Sequence, residues 1–142
     1  MKGFTLMEIL LVMAIVVIIL GFSFPLYKSF SSLNTHQAVK NEVVQLSRLA
    51  HARSLAGLGD QEHGLYFSGL TVTLYEGSDY VSRIQSNDRV HELPEKYFFD
   101  NTYDIVFAVK TGLVGGNYQV GMGNSIDNTV LYININTEGY IY

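Results

Sequence analysis

From Ile9 to Leu20 the chain carries no polar side chain, and from Phe4 to Phe24 only Thr5, Glu8, Gly21 and Ser23 interrupt its apolar character. At about 1.5 Å rise per residue a helix over Phe4 to Phe24 spans about 30 Å, the thickness of a bilayer's hydrocarbon core. Pro25 has no amide hydrogen to donate and is expected to kink or locally open that helix. Beyond it, apolar residues recur at three- and four-residue steps through Leu33, Val39, Val43, Leu46, Leu49 and Ala50, with Lys40, Glu42, Gln45, Arg48 and Arg53 on the opposite side. That spacing predicts an amphipathic helix laid on a soluble domain, stopped at Gly57 and Gly59. Phe4 to about Ala56 therefore reads as one long helix.

Past Asp60 the period changes from helical to alternating. Leu65 to Phe67, the turn at Ser68-Gly69, and Thr71 to Tyr75 predict a hairpin. Further strands are expected at Tyr80 to Ile84, Val90 to Leu93, Tyr97 to Phe99, Ile105 to Val109, Tyr118 to Gly121 and Thr129 to Asn134, with Tyr140 to Tyr142 closing the set. Each is bounded by Gly, Asn, Asp or Pro, so the carboxy-terminal part reads as a compact β domain. No internal repeat or low-complexity linker occurs.

Composition narrows the chemistry. A length of 142 residues allows one domain beside the apolar segment, and a net charge of −4 argues against a broadly basic surface for nucleic acid or anionic lipid. There is no cysteine, which excludes disulfides, thiolate metal sites and cysteine nucleophiles.

Glu8 stands out at the start of the apolar run. A carboxylate there costs about 2 to 4 kcal/mol in a bilayer unless it is paired. Three readings of this end follow. It is a plain membrane anchor, or a secretory signal with Lys2 as its charged region and Gly21-Phe22-Ser23 as the cleavage site. Alternatively the chain is cut after Gly3, which places a free amine on Phe4 one helical turn from Glu8 and on the same face. The carboxylate then pairs with such an amine on an axially shifted neighbour, removing the cost of either charge alone.

The stretch Lys2-Gly3-Phe4-Thr5-Leu6-Met7-Glu8-Ile9-Leu10-Leu11-Val12 resembles the class III signal of type IV pilins and type II secretion pseudopilins. The resemblance implies cleavage after Gly3, N-methylation of Phe4, subunit docking through Phe4 and Glu8, and a helix-loosening Pro25. It implies an α+β fold in which a long N-terminal helix, half transmembrane and half amphipathic, packs on a C-terminal antiparallel β-sheet or two-sheet β head. The expected organisation is a leader at 1–3, a transmembrane or filament-core helix at 4–25, an amphipathic helix at 26–57 and a β head at 60–142. Implied partners are other pilin or pseudopilin subunits, a prepilin peptidase and methyltransferase, an inner-membrane assembly platform, and membrane lipid before assembly. The implied location is the cytoplasmic membrane, single-pass with the head outside, and then a filament.

The later segments are similar to the minor pseudopilin subgroup that includes GspH and FimT. They are Leu49 to Ala56, Thr111-Gly112 with Gly115-Gly116, and Ile133-Asn134-Ile135 leading to Glu138-Gly139-Tyr140-Ile141. DNA-binding members carry arginines in the final glycine-led turn, where this chain has Gly139-Tyr140-Ile141-Tyr142, so nucleic acid is not favoured as a partner.

Catalytic patterns are weak, and no enzyme, cofactor or metal is expected. His36, His51, His63 and His91 are scattered, and Asp60-Gln61-Glu62-His63 lacks the helical spacing of a metalloprotease motif. Asn124, Asp127 and Asn128 follow no calcium-loop spacing and read as a hairpin turn. Tyr140 and Tyr142 either finish a sheet or stack on a sugar or base. A DNA-binding or adhesive pilin head is one alternative, and a singly anchored extracytoplasmic enzyme or ligand-binding domain is another.

Overall fold

The computed structural model describes residues 5–142, apart from the side chains of 22–34. Helical residues fall within Leu6–Leu55 and are described as two stretches, 6–21 and 35–55, called α1 and α2 here. The chain divides into two compact units, Met1–Ala38 and Val39–Tyr142.

The helical part of the expected fold class needs correction. The structure has no long N-terminal helix with a transmembrane half, but two shorter stretches, and no helix among the described residues is long and apolar enough to cross a membrane. The described apolar stretch, residues 6–21, covers about 24 Å at helical rise, short of the roughly 30 Å of a hydrocarbon core. Membrane length in the sequence depended on continuing the apolar run to Phe24, and residues 22–34 lie outside the described side chains.

The second unit combines the last turns of α2 with seven antiparallel strands: β1 (His63–Ser68), β2 (Thr71–Glu76), β3 (Arg89–Glu92), β4 (Tyr97–Phe99), β5 (Tyr103–Phe107), β6 (Tyr118–Asn124) and β7 (Val130–Ile135). They form two sheets, ordered β3-β2-β1-β5 and β4-β6-β7. Alternation along the strands sends Leu65, Phe67, Val72, Leu74, Ile105 and Phe107 of the first sheet into one core with Val120, Met122, Ile133 and Ile135 of the second. Val39, Val43 and Ala50 of α2 join that core, which is why these turns belong with the sheets.

The hairpin lies where the alternation put it, with Ser68 opposite Thr71 and Gly69 taking the left-handed φ of 56° that a two-residue turn requires. Tyr80 to Ile84, in contrast, is a loop and not a strand. The Asp79 carboxylate accepts hydrogen bonds from the amides of Val81 and Ser82 at 2.9 and 2.8 Å, which curls the backbone out of extension. Tyr80 then stacks on Tyr66 at 3.6 Å, and Arg83 lies 3.7 Å above the Tyr80 ring. This loop covers the outer face of β1 and β2, so Thr73 and Tyr75 are buried although they point away from the core.

Tyr140 to Tyr142 is likewise reduced from a strand to one bridge between Ile135 and Ile141. Asn134 and Tyr142 exchange backbone hydrogen bonds of 2.9 and 3.1 Å there, while both terminal tyrosine rings remain exposed.

Candidate functional site

In the first unit the candidate feature is α1. Every large hydrophobic from Leu6 to Leu20 is between 42% and 79% exposed, far more than a helix of ordinary composition displays. Thr5 starts this helix: its Oγ1 accepts a hydrogen bond of 3.3 Å from the Glu8 amide. The sequence Thr5-Leu6-Met7-Glu8 is thus an N-cap with an acid three residues on, the arrangement that satisfies orphan amides at a helix start. The Thr5 hydroxyl meets the backbone need, and the Glu8 side chain stays exposed beside the apolar surface. Gly3 and Phe4, the expected cleavage and methylation positions, lie outside the described residues, as does the side chain of Pro25.

In the second unit, three segments set apart in the sequence meet around His51. Its ring lies 5.4 Å from that of Phe107. Gly112 (φ 67°) and Gly139 (φ 80°) close over it so tightly that a Cβ on either would fall 2.4 and 2.7 Å from His51 Nε2. Only glycine fits both the backbone and the space. Burial holds the His51 imidazole below its ordinary pKa.

A second polar cluster lies under the Asp79 loop. The Tyr75 hydroxyl donates to Asp104 Oδ1, and Asp104 Oδ2 accepts from the Tyr80 amide at 3.0 Å. Burial first, and the Asp104 carboxylate second, push the Tyr75 phenol well above its ordinary value near 10. A raised folded-state pKa contributes stability that is complete below the unfolded value and is lost as pH climbs past it. The melting temperature of the full chain is therefore expected to hold up to about pH 10 and fall above it, less steeply in Tyr75→Phe. Circular dichroism melts across pH 8 to 11 check this; equal alkaline slopes in both proteins contradict it.

The residues of the acidic loop Asp60-Gln61-Glu62-His63 go separate ways. Asp60 pairs with Lys110 at 2.7 Å, whereas His63 is fully buried at the start of β1. His91 Nε2 stands 3.3 Å from Glu42 Oε1. Among the described residues no group of three or more His, Asp or Glu is placed to hold a metal ion. Asn124 and Asp127 use their side chains on the turn: Asn124 Oδ1 accepts from the Ile126 amide at 2.8 Å and Asp127 Oδ1 from the Thr129 amide at 3.0 Å.

Compared with protein-family models, with curated proteins and with solved structures, the chain matches none.

One pocket was not apparent in the sequence. It measures about 510 Å³ and is lined by Arg53, His63, Glu76, Asn87, Asp88 and Arg89, together with Leu58 and Ser86. These residues come from the end of α2, the start of β1, the end of β2 and the approach to β3. Arg53, His63, Glu76 and Asn87 stand ten or more positions apart in the chain, so no local motif announced it.

Proposed function

We propose that this chain is an assembly subunit of the pilin or pseudopilin type, whose α1 docks on the same helix of neighbouring subunits. The observation that carries the reading is the exposure of all the large hydrophobics of α1 around a single carboxylate, Glu8. An apolar surface of that extent requires a cover. Each side chain that passes from half exposed to buried contributes on the order of 1 kcal/mol, so a continuous helical stripe is enough to drive association.

In this reading Glu8 sets the axial register. A carboxylate within an apolar helix interface must be paired, and the amine of a Phe4 freed by cleavage after Gly3 is a partner of opposite charge at a fixed distance from it. Membrane lipid shields the same apolar residues before assembly. A prepilin peptidase that also methylates Phe4, and an inner-membrane assembly platform, are the partners that such a route requires. The role is structural; the β unit presents a surface and α1 makes the filament contacts.

Two measurements test this together. The intact mass of the mature chain, isolated from a pilus-assembling host, is expected to correspond to a start at N-methylated Phe4. Glu8→Ala is expected to leave accumulation of the subunit unchanged and to cut its incorporation into filaments by about tenfold or more, the loss that follows when one partner of a buried pair is removed. Normal incorporation of Glu8→Ala contradicts the docking role. A mature chain beginning elsewhere contradicts the processing.

A further inference from the structure

His51 is held where a charge has no counterpart. Its ring is half-buried as a whole, but Nε2 is fully buried and has no hydrogen-bond partner among the described residues. Two backbone segments press on that atom: Gly112 of the loop 108–114 and Gly139 of the turn 136–140, each fitting only because it lacks a Cβ. Phe107, at the end of β5, packs on the ring. The charged groups on these surrounding elements are Lys110 and Glu138, with Arg48 and Arg53 on α2 itself. Lys110 is taken by Asp60 at 2.7 Å, and none of the four makes an ion pair or hydrogen bond with the imidazole.

The cover over Nε2 is thinly held. Segment 136–142 is tied down by the Val114 amide donating to the Thr137 carbonyl at 2.9 Å, by the Thr137 amide donating to Asn117 Oδ1 at 3.1 Å, and by the Asn134–Tyr142 pair. Ile141 is its one buried side chain. On the other side of the ring, α2 is anchored in the core by Val39, Val43 and Ala50. Strain at His51 is therefore relieved by the segment with few buried contacts, not by the helix.

We propose that segment 136–142 is an acid-released strap: protonation of His51 displaces Gly139 from the ring, and the segment leaves β7. In the imidazolium both ring nitrogens carry a hydrogen, so Nε2 becomes a charged donor with nothing to accept from it. The closed strap keeps that charge dry and the open strap lets water reach it. Because the closed state holds His51 neutral, the open state takes up the proton first. The strap is fully closed above about pH 6.5 and opens progressively as pH falls below that value. Opening frees the Asn134 amide and carbonyl, now held by Tyr142, and bares the outer edge of β7 for pairing with a further strand.

Backbone hydrogen exchange of the full chain in mild detergent, expressed as protection relative to the intrinsic rate at each pH, tests the strap. From pH 7.5 to pH 5, protection of the Asn134 and Tyr142 amides is expected to fall by about fivefold or more, while that of Leu65 and Leu74 on β1 and β2 holds within about twofold. His51→Gln, which stays neutral, is expected to abolish this pH dependence. Carbon-13 shifts of the His51 ring in the unaltered protein give an independent reading: the ring is expected to protonate only together with displacement of the Gly139 and Tyr142 resonances. The proposal is overturned if protection at Asn134 and Tyr142 does not change, if Leu65 and Leu74 lose protection in parallel, if His51→Gln keeps the same pH dependence, or if the ring protonates while those resonances stay in place.

Discussion

Replacing Gly64 by alanine is expected to destabilise the β unit by about 3 kcal/mol, the upper end of overpacking costs. Gly64 on β1 faces Tyr75 on β2, and the Tyr75 ring lies back across it. A Cβ at position 64 would fall 2.2 Å from Tyr75 Cζ and 2.3 Å from its hydroxyl oxygen. The ring has no room to yield, being fully buried and tied through its hydroxyl to Asp104. Moving it breaks that hydrogen bond, leaves the carboxylate one donor short and uncovers the Tyr80 loop. With no tryptophan in the chain, near-ultraviolet circular dichroism follows the tyrosines directly. The melting temperature of the full chain is expected to fall by about 15 °C, given 4–8 °C per kcal/mol for a unit of this size. A fall of less than about 3 °C contradicts the packing described.

The second large effect concerns α1. Val12→Asp puts a second carboxylate one turn beyond Glu8, on an exposed position of an otherwise apolar stretch. The isolated helix tolerates it, since position 12 meets solvent. In a helix-to-helix interface the same change buries a charge without a partner, at a cost of about 3 to 5 kcal/mol, enough to abolish association. The substitution therefore separates an apolar helix used as an interface from one that is merely apolar. Helicity and the melting temperature of the β unit are expected to stay unchanged while association is lost.

How much could be read from the chain follows from the range of the forces involved. The hairpin through Leu65, Gly69 and Leu74 was legible because alternation and a left-handed turn are local signals. The loop at Tyr80 to Ile84 was not, because its apolar and aromatic residues mimic a strand while the Asp79 side chain supplies the competing hydrogen bonds. The transmembrane half expected of the first helix is not found, since among the described residues no helix is long and apolar enough to cross a membrane. Gly112 and Gly139 drew notice as parts of separate segments, but nothing local indicated that both close on His51. His63 read as part of an acidic loop, and its burial beside Glu76 depends on strand pairing that brings residues thirteen apart face to face. Its pocket is a product of tertiary structure alone.

The central claim is that α1 is the surface through which copies of this chain meet. Because the natural sequence has no cysteine, single thiols placed by Ile9→Cys, Val12→Cys or Val16→Cys report contact without interference. Oxidative cross-linking of the full chain in detergent or lipid is expected to give covalent dimers at these α1 positions, none with the control Ser86→Cys in the β unit, and none at Val16→Cys once Val12→Asp is added. Cross-linking at Ser86→Cys equal to that along α1, or no cross-linking along α1 at all, contradicts the account.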